Sequence, residues 1–224
     1  MSASGGRGCF ITLEGGEGAG KTTHLQTLMD CLQAQGIAAI ATREPGGTLA
    51  GEQIRRVLLD PELPAMHADT ELLLMFAARN EHLQQRILPA LAQGTWVVCD
   101  RFTDATYAYQ GYGRGLALER ITALETWVQG ETRPDHTVLL DIDVATGMQR
   151  VQQRSADAGI VQDRFEREQG DFYERIRQGY RQQAARYPER FHVVNAAQDM
   201  ATVQAELQTI MTQIIRQAQG EDCA

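Results

Sequence analysis

Lysine is almost missing from this chain. Of 224 residues one is lysine, Lys21, against twenty arginines. The shortage excludes the N-K-x-D signature of guanine-reading switches, because the only lysine stands in another motif, GGEGAGKT, Gly15 to Thr22. Long apolar runs are missing too: none approaches the roughly 20 residues of a membrane span. A positive balance is absent. The formal charge of −8 argues against nucleic acid as a partner, since such binding rests on neutralising phosphates. The four cysteines, Cys9, Cys31, Cys99 and Cys223, show no C-x-x-C spacing and read as small residues of a reduced, cytoplasmic protein. No linker or low-complexity stretch divides the chain, so one domain over 1–224 is expected. Met1 to Gly8 is small and polar and runs directly into an apolar strand, so no signal peptide is expected.

What is present is a phosphate-binding loop in its proper setting. GGEGAGKT fits G-x-x-x-x-G-K-[ST], in which a compact ammonium reaches the β- and γ-phosphates and the hydroxyl of Thr22 serves magnesium. Cys9 to Leu13 before it reads as a buried parallel strand. Thr22 to Gln35 after it reads as a helix, with Leu25, Leu28, Met29 and Leu32 on one face and Gly36 as its stop. A loop feeding a helix N-terminus offers backbone N–H groups and a positive dipole end to a polyphosphate.

Strands and helices alternate beyond it. Strands are expected at Ile37–Thr42, Thr95–Cys99, Thr137–Leu140 and Phe191–Val194. Helices are expected at Leu49–Leu59, Thr70–Gln93 (capped by Asp69 and interrupted by Pro89), Leu118–Val128, Ala145–Arg154, Asp163–Tyr187 and Met200–Gln217. The pattern predicts an α/β P-loop NTPase fold: a five-stranded parallel sheet with helices on both faces and ligands at the carboxyl ends of its strands.

Three clusters fall at those ends. Asp100-Arg101 follows the third strand, where a carboxylate orders magnesium directly or through water. TREPGGT, Thr42 to Thr48, ends the second strand, and an arginine facing the P-loop from there suits a second phosphate. Arg150, Arg154, Arg164 and Arg167 flank Ser155 to Gln162, a pliable loop of small residues, and together they read as a basic lid. Two anion sites and a lid favour a phosphotransferase over a nucleotide-gated switch, which needs no second anion site.

GGEGAGKT, TREPGGT, LLLMFAAR, DRFTDATYAYQG and DRFE, in this order and at fitting separations, together resemble the bacterial thymidylate kinase family. After about Tyr173 the likeness is one of fold pattern only. The resemblance implies transfer of the γ-phosphoryl of ATP to dTMP with magnesium, a homodimer, and a lid over about 150–167. It implies that Gly15, Gly16, Glu17, Gly18, Ala19, Gly20, Lys21 and Thr22 hold the ATP phosphates, with Thr22 and Asp100 at the metal. Glu17 would face the acceptor sugar, and Arg43, Arg55 and Arg101 its phosphate. Arg79 would read thymine, with Thr106 and Gln110 completing the pocket. The family often stacks a phenylalanine four residues before that arginine; here Met75 holds the place, and Phe76, the neighbouring aromatic, is the expected thymine contact. With no arginine inside the loop, the transition-state arginine falls to the lid, with Arg154 first and Arg150 or Arg164 as alternatives. Another nucleoside monophosphate kinase is the nearest competing reading.

Overall fold

The computed structural model describes residues 6–158, 164–166, 168 and 170–220, without the side chains of 157 and 158. Five parallel strands, β1 (Phe10–Gly15), β2 (Ala39–Arg43), β3 (Trp96–Asp100), β4 (His136–Asp141) and β5 (Phe191–Asn195), form one sheet in the order β2-β3-β1-β4-β5. The helices are α1 (Lys21–Ala34), α2 (Leu49–Leu59), α3 (Ala68–His82), α4 (Leu88–Ala92), α5 (Thr103–Thr106), α6 (Leu118–Gln129), α7 (Val144–Ala158), α8 (Gly170–Arg186) and α9 (Met200–Ala218). None of them, among the described residues, is long and apolar enough to cross a membrane.

Alternation along β1 sorts the core into two layers. Ile11 and Leu13 join Val98, Val138 and Leu140 beneath α1 and α9, which supply Leu28, Leu32, Val203, Leu207 and Met211. Phe10 faces the other way, packing with Val97, Cys99, Leu83, Ile87 and Phe102. Burying each such side chain contributes about 1.5–3 kcal/mol. Thr12 and Glu14 share that second face and are wholly buried, so their polar atoms need partners. Thr12 Oγ1 lies 3.0 Å from Thr137 Oγ1, and Glu14 accepts from the Phe102 N–H at 2.7 Å and the Tyr180 hydroxyl at 2.9 Å. This polar seam fixes α5 and α8 to the strand that carries the phosphate loop.

The strands and most helices fall where the sequence places them, and three segments differ. The long helix expected from Thr70 to Gln93 is α3, a π-helical stretch at Leu83–Ile87, and α4. Pro89 has no N–H and its ring crowds the preceding turn, and the wider π turn ahead of it accommodates both defects. His67, not Asp69, is its N-cap: His67 Nδ1 accepts from the Asp69 N–H at 3.3 Å, and Asp69 sits in the first turn paired with Arg120 at 2.6 Å. The helix expected from Asp163 begins at Gly170. Arg164–Glu166 form a turn, and Asp163 lies outside the described residues. The third difference is an element without a sequence expectation, α5 running into a π-helical stretch at Tyr107–Gly113. Its glycines hide it from a periodicity reading, yet they are packing surfaces: a Cβ on Gly113 would stand 2.7 Å from the Phe172 ring of α8.

Candidate active site

β1 delivers the phosphate loop at its carboxyl end. Gly20, at φ 86°, caps α1 in the left-handed region that a side chain disfavours. Lys21 Nζ donates to the Gly15 and Gly16 carbonyls, each at 3.0 Å, so the ammonium is held in the mouth of the loop. Burial pushes its pKa down, Arg101 adds to that, and Glu17 opposes it. The outer side of the loop rests on α7: a Cβ on Gly18 would run into the Gly147 carbonyl, and a Cβ on Gly147 would stand 2.5 Å from the Glu17 carbonyl.

The loop opens into a cavity of about 880 Å³ that also receives Arg43, Glu44, Arg55, Asp100 and Arg101. Its far ends are different in character. One holds Met75, Arg79, Thr106 and Gln110, and the other His24, Arg150, Ala196, Asp199 and Met200. Such a volume lies at the upper end of the range for small-molecule sites and suits two ligands meeting at the loop.

Three guanidiniums converge beside the loop. Arg43 Nη2 donates to Glu52 at 2.8 Å, and Arg55 Nη1 to the Pro45 carbonyl at 3.0 Å. Arg101 follows β3 with φ 65°, a conformation that costs a non-glycine residue about 1–3 kcal/mol and persists where the surrounding structure over-determines it. Its Nη2 donates to Glu17 at 2.6 Å and to the Tyr109 hydroxyl at 2.9 Å, and its guanidinium lies 4.9 Å over the Tyr109 ring. Burial alone would raise the Glu17 pKa; Arg101, Lys21 and the Tyr109 hydroxyl instead bring it to about 2. Burial, Arg43 and Arg101 all lower the Arg55 pKa, the signature of crowded positive charge that an anion would relieve.

Asp100 Oδ1 is buried with no hydrogen-bond partner among the described residues, and it lines the same cavity as Thr22. Among the described residues, no group of three or more His, Cys, Asp or Glu side chains could hold a metal. One carboxylate and one hydroxyl fit magnesium, which keeps several waters and takes substrate phosphates as ligands.

At the end of the cavity with Met75 and Thr106, Arg79 is buried on α3. Its Nε donates to Glu44 Oε2 at 2.7 Å and its Nη2 to Thr106 Oγ1 at 2.9 Å. Its Nη1 is buried without a partner among the described residues. Glu81 is engaged with Gln85 and Asp104 with Arg190, and the ion pair comes from Glu44 at the end of β2. Glu44 Oε1 accepts from His82 Nδ1 at 3.0 Å, and His82 Nε2 lies 2.6 Å from Thr42 Oγ1. A carboxylate only accepts, so Nδ1 carries a proton toward Glu44. Phe76 does not line the cavity. It is buried in the core with the Arg79 guanidinium 4.8 Å above its ring, while Met75 takes the cavity wall. Helical spacing explains the exchange, since adjacent positions on α3 face about 100° apart and only one can meet the cleft.

The lid arginines separate. Arg150 and Arg154 line the cavity; Arg150 Nη1 donates to the Ala196 carbonyl at 3.0 Å and Arg154 Nη2 to Glu166 at 2.7 Å. Arg164 is committed elsewhere, donating to the Leu58 carbonyl at 2.9 Å and to Glu71 at 2.6 Å, and it does not line the cavity. It is therefore withdrawn as an alternative phosphate ligand. Arg167 and residues 159–162 of the expected lid loop lie outside the described residues, and α7 takes in the loop's first part. Sequence reasoning missed Tyr109, Glu44, Glu71 and Gly147. Of these, Tyr109 stood inside DRFTDATYAYQG and Glu44 inside TREPGGT, both motifs already marked, whereas Glu71 and Gly147 stood in none.

A family model described as thymidylate kinase matches residues 13–207. Among curated proteins, the thymidylate kinase of Alkalilimnicola ehrlichii is 54% identical over 209 residues, 93% of this chain and 94% of that one. That of Ectopseudomonas mendocina is 52% identical over 213 residues, 95% and 99% of the two chains. Among solved structures, thymidylate kinase from Ehrlichia chaffeensis superposes with a TM-score of 0.72 at 33% identity, covering 92% of this chain and 99% of that one.

Proposed function

The chain belongs to the thymidylate kinase family and acts as a dTMP kinase, and from that premise we propose how its residues divide the work. ATP is the donor, and its γ-phosphoryl passes to dTMP, giving dTDP and ADP. The observation that supports this most is the single cavity in which Lys21 and three arginines converge between two unlike ends. A switch protein would have no use for the second set of cations.

In this reading the loop Gly15–Thr22 binds the donor phosphates through backbone N–H groups and Lys21, and the end with Arg150 and Ala196 takes the donor base. Thr22 and Asp100 hold magnesium, which supplies charge neutralisation on the phosphates when bound. Arg43, Arg55 and Arg101 grip the acceptor phosphate. That group is already largely dianionic at neutral pH, so no strong base is needed to activate it. Glu17 faces the acceptor sugar while orienting Arg101. Arg79, through its unpartnered Nη1, donates to a base carbonyl, with Thr106 fixing Arg79 and Gln110 completing the pocket. Arg154, on the solvent-facing lid, supplies charge to the transferring group. Fixed charge and in-line positioning then provide most of the rate.

The exposed Leu49, Val57 and Leu73, on the adjoining helices α2 and α3, support a homodimer interface, and the free thiols of Cys9, Cys31 and Cys99 support a cytoplasmic setting. Product analysis tests the function: dTDP formed in step with ADP supports transfer, and orthophosphate without dTDP would return the protein to the switch class.

A further inference from the structure

Glu71 lies in the first turn of α3, wholly buried, and is not a cavity residue. Its carboxylate gathers three side chains from distant segments. Gln110 Nε2 donates to Oε1 at 2.9 Å, Arg164 Nη2 donates to Oε2 at 2.6 Å, and Arg114 approaches both oxygens at 3.3 and 3.4 Å. Arg114 is itself held by Glu168 and lies 4.7 Å over the Phe172 ring. A carboxylate clasped by two guanidiniums accepts hydrogen bonds and has none to give.

This decides which way the Gln110 amide points. Turning it over would set its carbonyl oxygen against Glu71 Oε1 at the present 2.9 Å, two acceptors in a buried place with no proton between them. Nε2 is therefore committed to Glu71, and Oε1 becomes the free prong of a residue that lines the cavity; no described residue donates to it. Across Thr106, Arg79 presents the reverse, a buried Nη1 donor without a partner. The pocket thus offers one donor and one acceptor. Thymine presents the complement, the O4 acceptor beside the N3–H donor. Cytosine presents an amino donor beside a bare N3 acceptor and would meet both groups with the wrong sign.

We propose that Glu71 is a positioning residue for base selection: by holding the Gln110 amide in one orientation it makes the acceptor pocket accept thymine and reject cytosine. The inference rests on the reading that Arg79 and Gln110 face the acceptor base. Because Arg164 follows the lid segment in the chain, the same carboxylate also ties the lid's far end to the base pocket.

The test compares kcat/KM for dTMP and dCMP, at saturating ATP, in the unmodified enzyme, Gln110→Leu and Glu71→Gln. Gln110→Leu examines the underlying reading: its kcat/KM for dTMP falls at least about tenfold, and an unchanged value removes Gln110 from the base pocket. Glu71→Gln examines the inference itself. A glutamine there can donate as well as accept, which frees Gln110 to turn, so the preference for dTMP over dCMP shrinks at least about tenfold while the KM for ATP stays put. A folded Glu71→Gln that keeps the full preference, beside a damaged Gln110→Leu, overturns the proposal and leaves the reading intact. Should Glu71→Gln not fold, the side-chain amide of Gln110 in the unmodified protein decides, its NMR signal assigned by its loss in Gln110→Leu. Amide protons protected from exchange before nucleotide is added agree with the proposal. Protons that exchange freely until dTMP binds would refute it.

Discussion

Glu17 Oε1 stands 2.6 Å from Arg101 Nη2, and this pair joins the phosphate loop after β1 to the strained residue after β3. The two strands are neighbours in the sheet, so the pair closes a short bridge across their carboxyl ends. A guanidinium held on one side by a carboxylate and on another by the Tyr109 hydroxyl is oriented before any substrate arrives. Preorganisation of this kind lets charge act on a transferring phosphoryl group without first reordering the site.

Lys21→Arg is expected to lower phosphoryl transfer by orders of magnitude while thermal stability changes little. The charge survives the change. A planar guanidinium does not fit where a single ammonium now meets two loop carbonyls at 3.0 Å. Turnover near that of the unmodified enzyme, in a folded variant, would remove the special role of the chain's one lysine.

Arg154→Ala and Arg150→Ala should part company. Arg154 is more than half exposed and, among the described residues, held only by an ion pair to Glu166, so the phosphate contact proposed for it belongs to a closed lid. Its loss should cut kcat about 10³-fold with small changes in either KM. Arg150, braced against the Ala196 carbonyl at the donor end, should mainly raise the KM for ATP. Steady-state kinetics with each substrate varied in turn separates the two. A normal kcat in Arg154→Ala passes the transition-state role to Arg150.

Arg79→Ala should raise the KM for dTMP strongly and leave that for ATP almost unchanged. It should also destabilise the fold, because Glu44 would remain as a buried charge, a loss of about 3–5 kcal/mol for a broken buried pair. The double variant Arg79→Met with Glu44→Gln should recover much of the melting temperature but not the recognition of dTMP. Equal losses for both nucleotides would make Arg79 a structural residue only.

Stability should decline as pH rises through the neutral range, and Glu14 is the cause. Its burial, with Asp104 nearby, raises its pKa to about 8 against the opposing Phe102 N–H, Tyr180 hydroxyl and Arg101. The folded protein then holds a proton that the unfolded chain releases in the ordinary carboxylate range. The stability this gives is complete below that range and is lost as pH climbs through about 8. Glu14→Gln should flatten melting temperature against pH over this interval; an unaltered slope would clear Glu14.

The sheet was legible because its strands are short apolar runs followed by glycine or charged punctuation, and β1 with GGEGAGKT fixed the register of everything after it. The convergence of Arg43, Arg55 and Arg101 was legible only through motif resemblance, since no local pattern connects residues of separate strand ends. The π-helical stretch at Tyr107–Gly113 escaped because period and composition there both speak for a loop. Phe76 was expected at the cavity wall that Met75 takes, a difference of one residue that only the rotation of α3 against the sheet decides. Glu44 and Glu71 escaped for another reason: a charge buried far from its partners in sequence carries no local mark of what it will meet.

The mutual contact of Gly18 and Gly147 gives the lid a fulcrum. Backbone lies close to backbone there, so a bodily slide of α7 toward the phosphate loop would drive the two together, whereas a swing about that point would not. At 1.5 Å per residue, Arg150 lies about 4.5 Å along the helix from the pivot and Arg154 about 10.5 Å. The same small rotation therefore sweeps Arg154 more than twice as far. In such a swing Arg150 would be the short arm and Arg154 the long one, and the ratio of their strokes is set by the spacing 147, 150, 154.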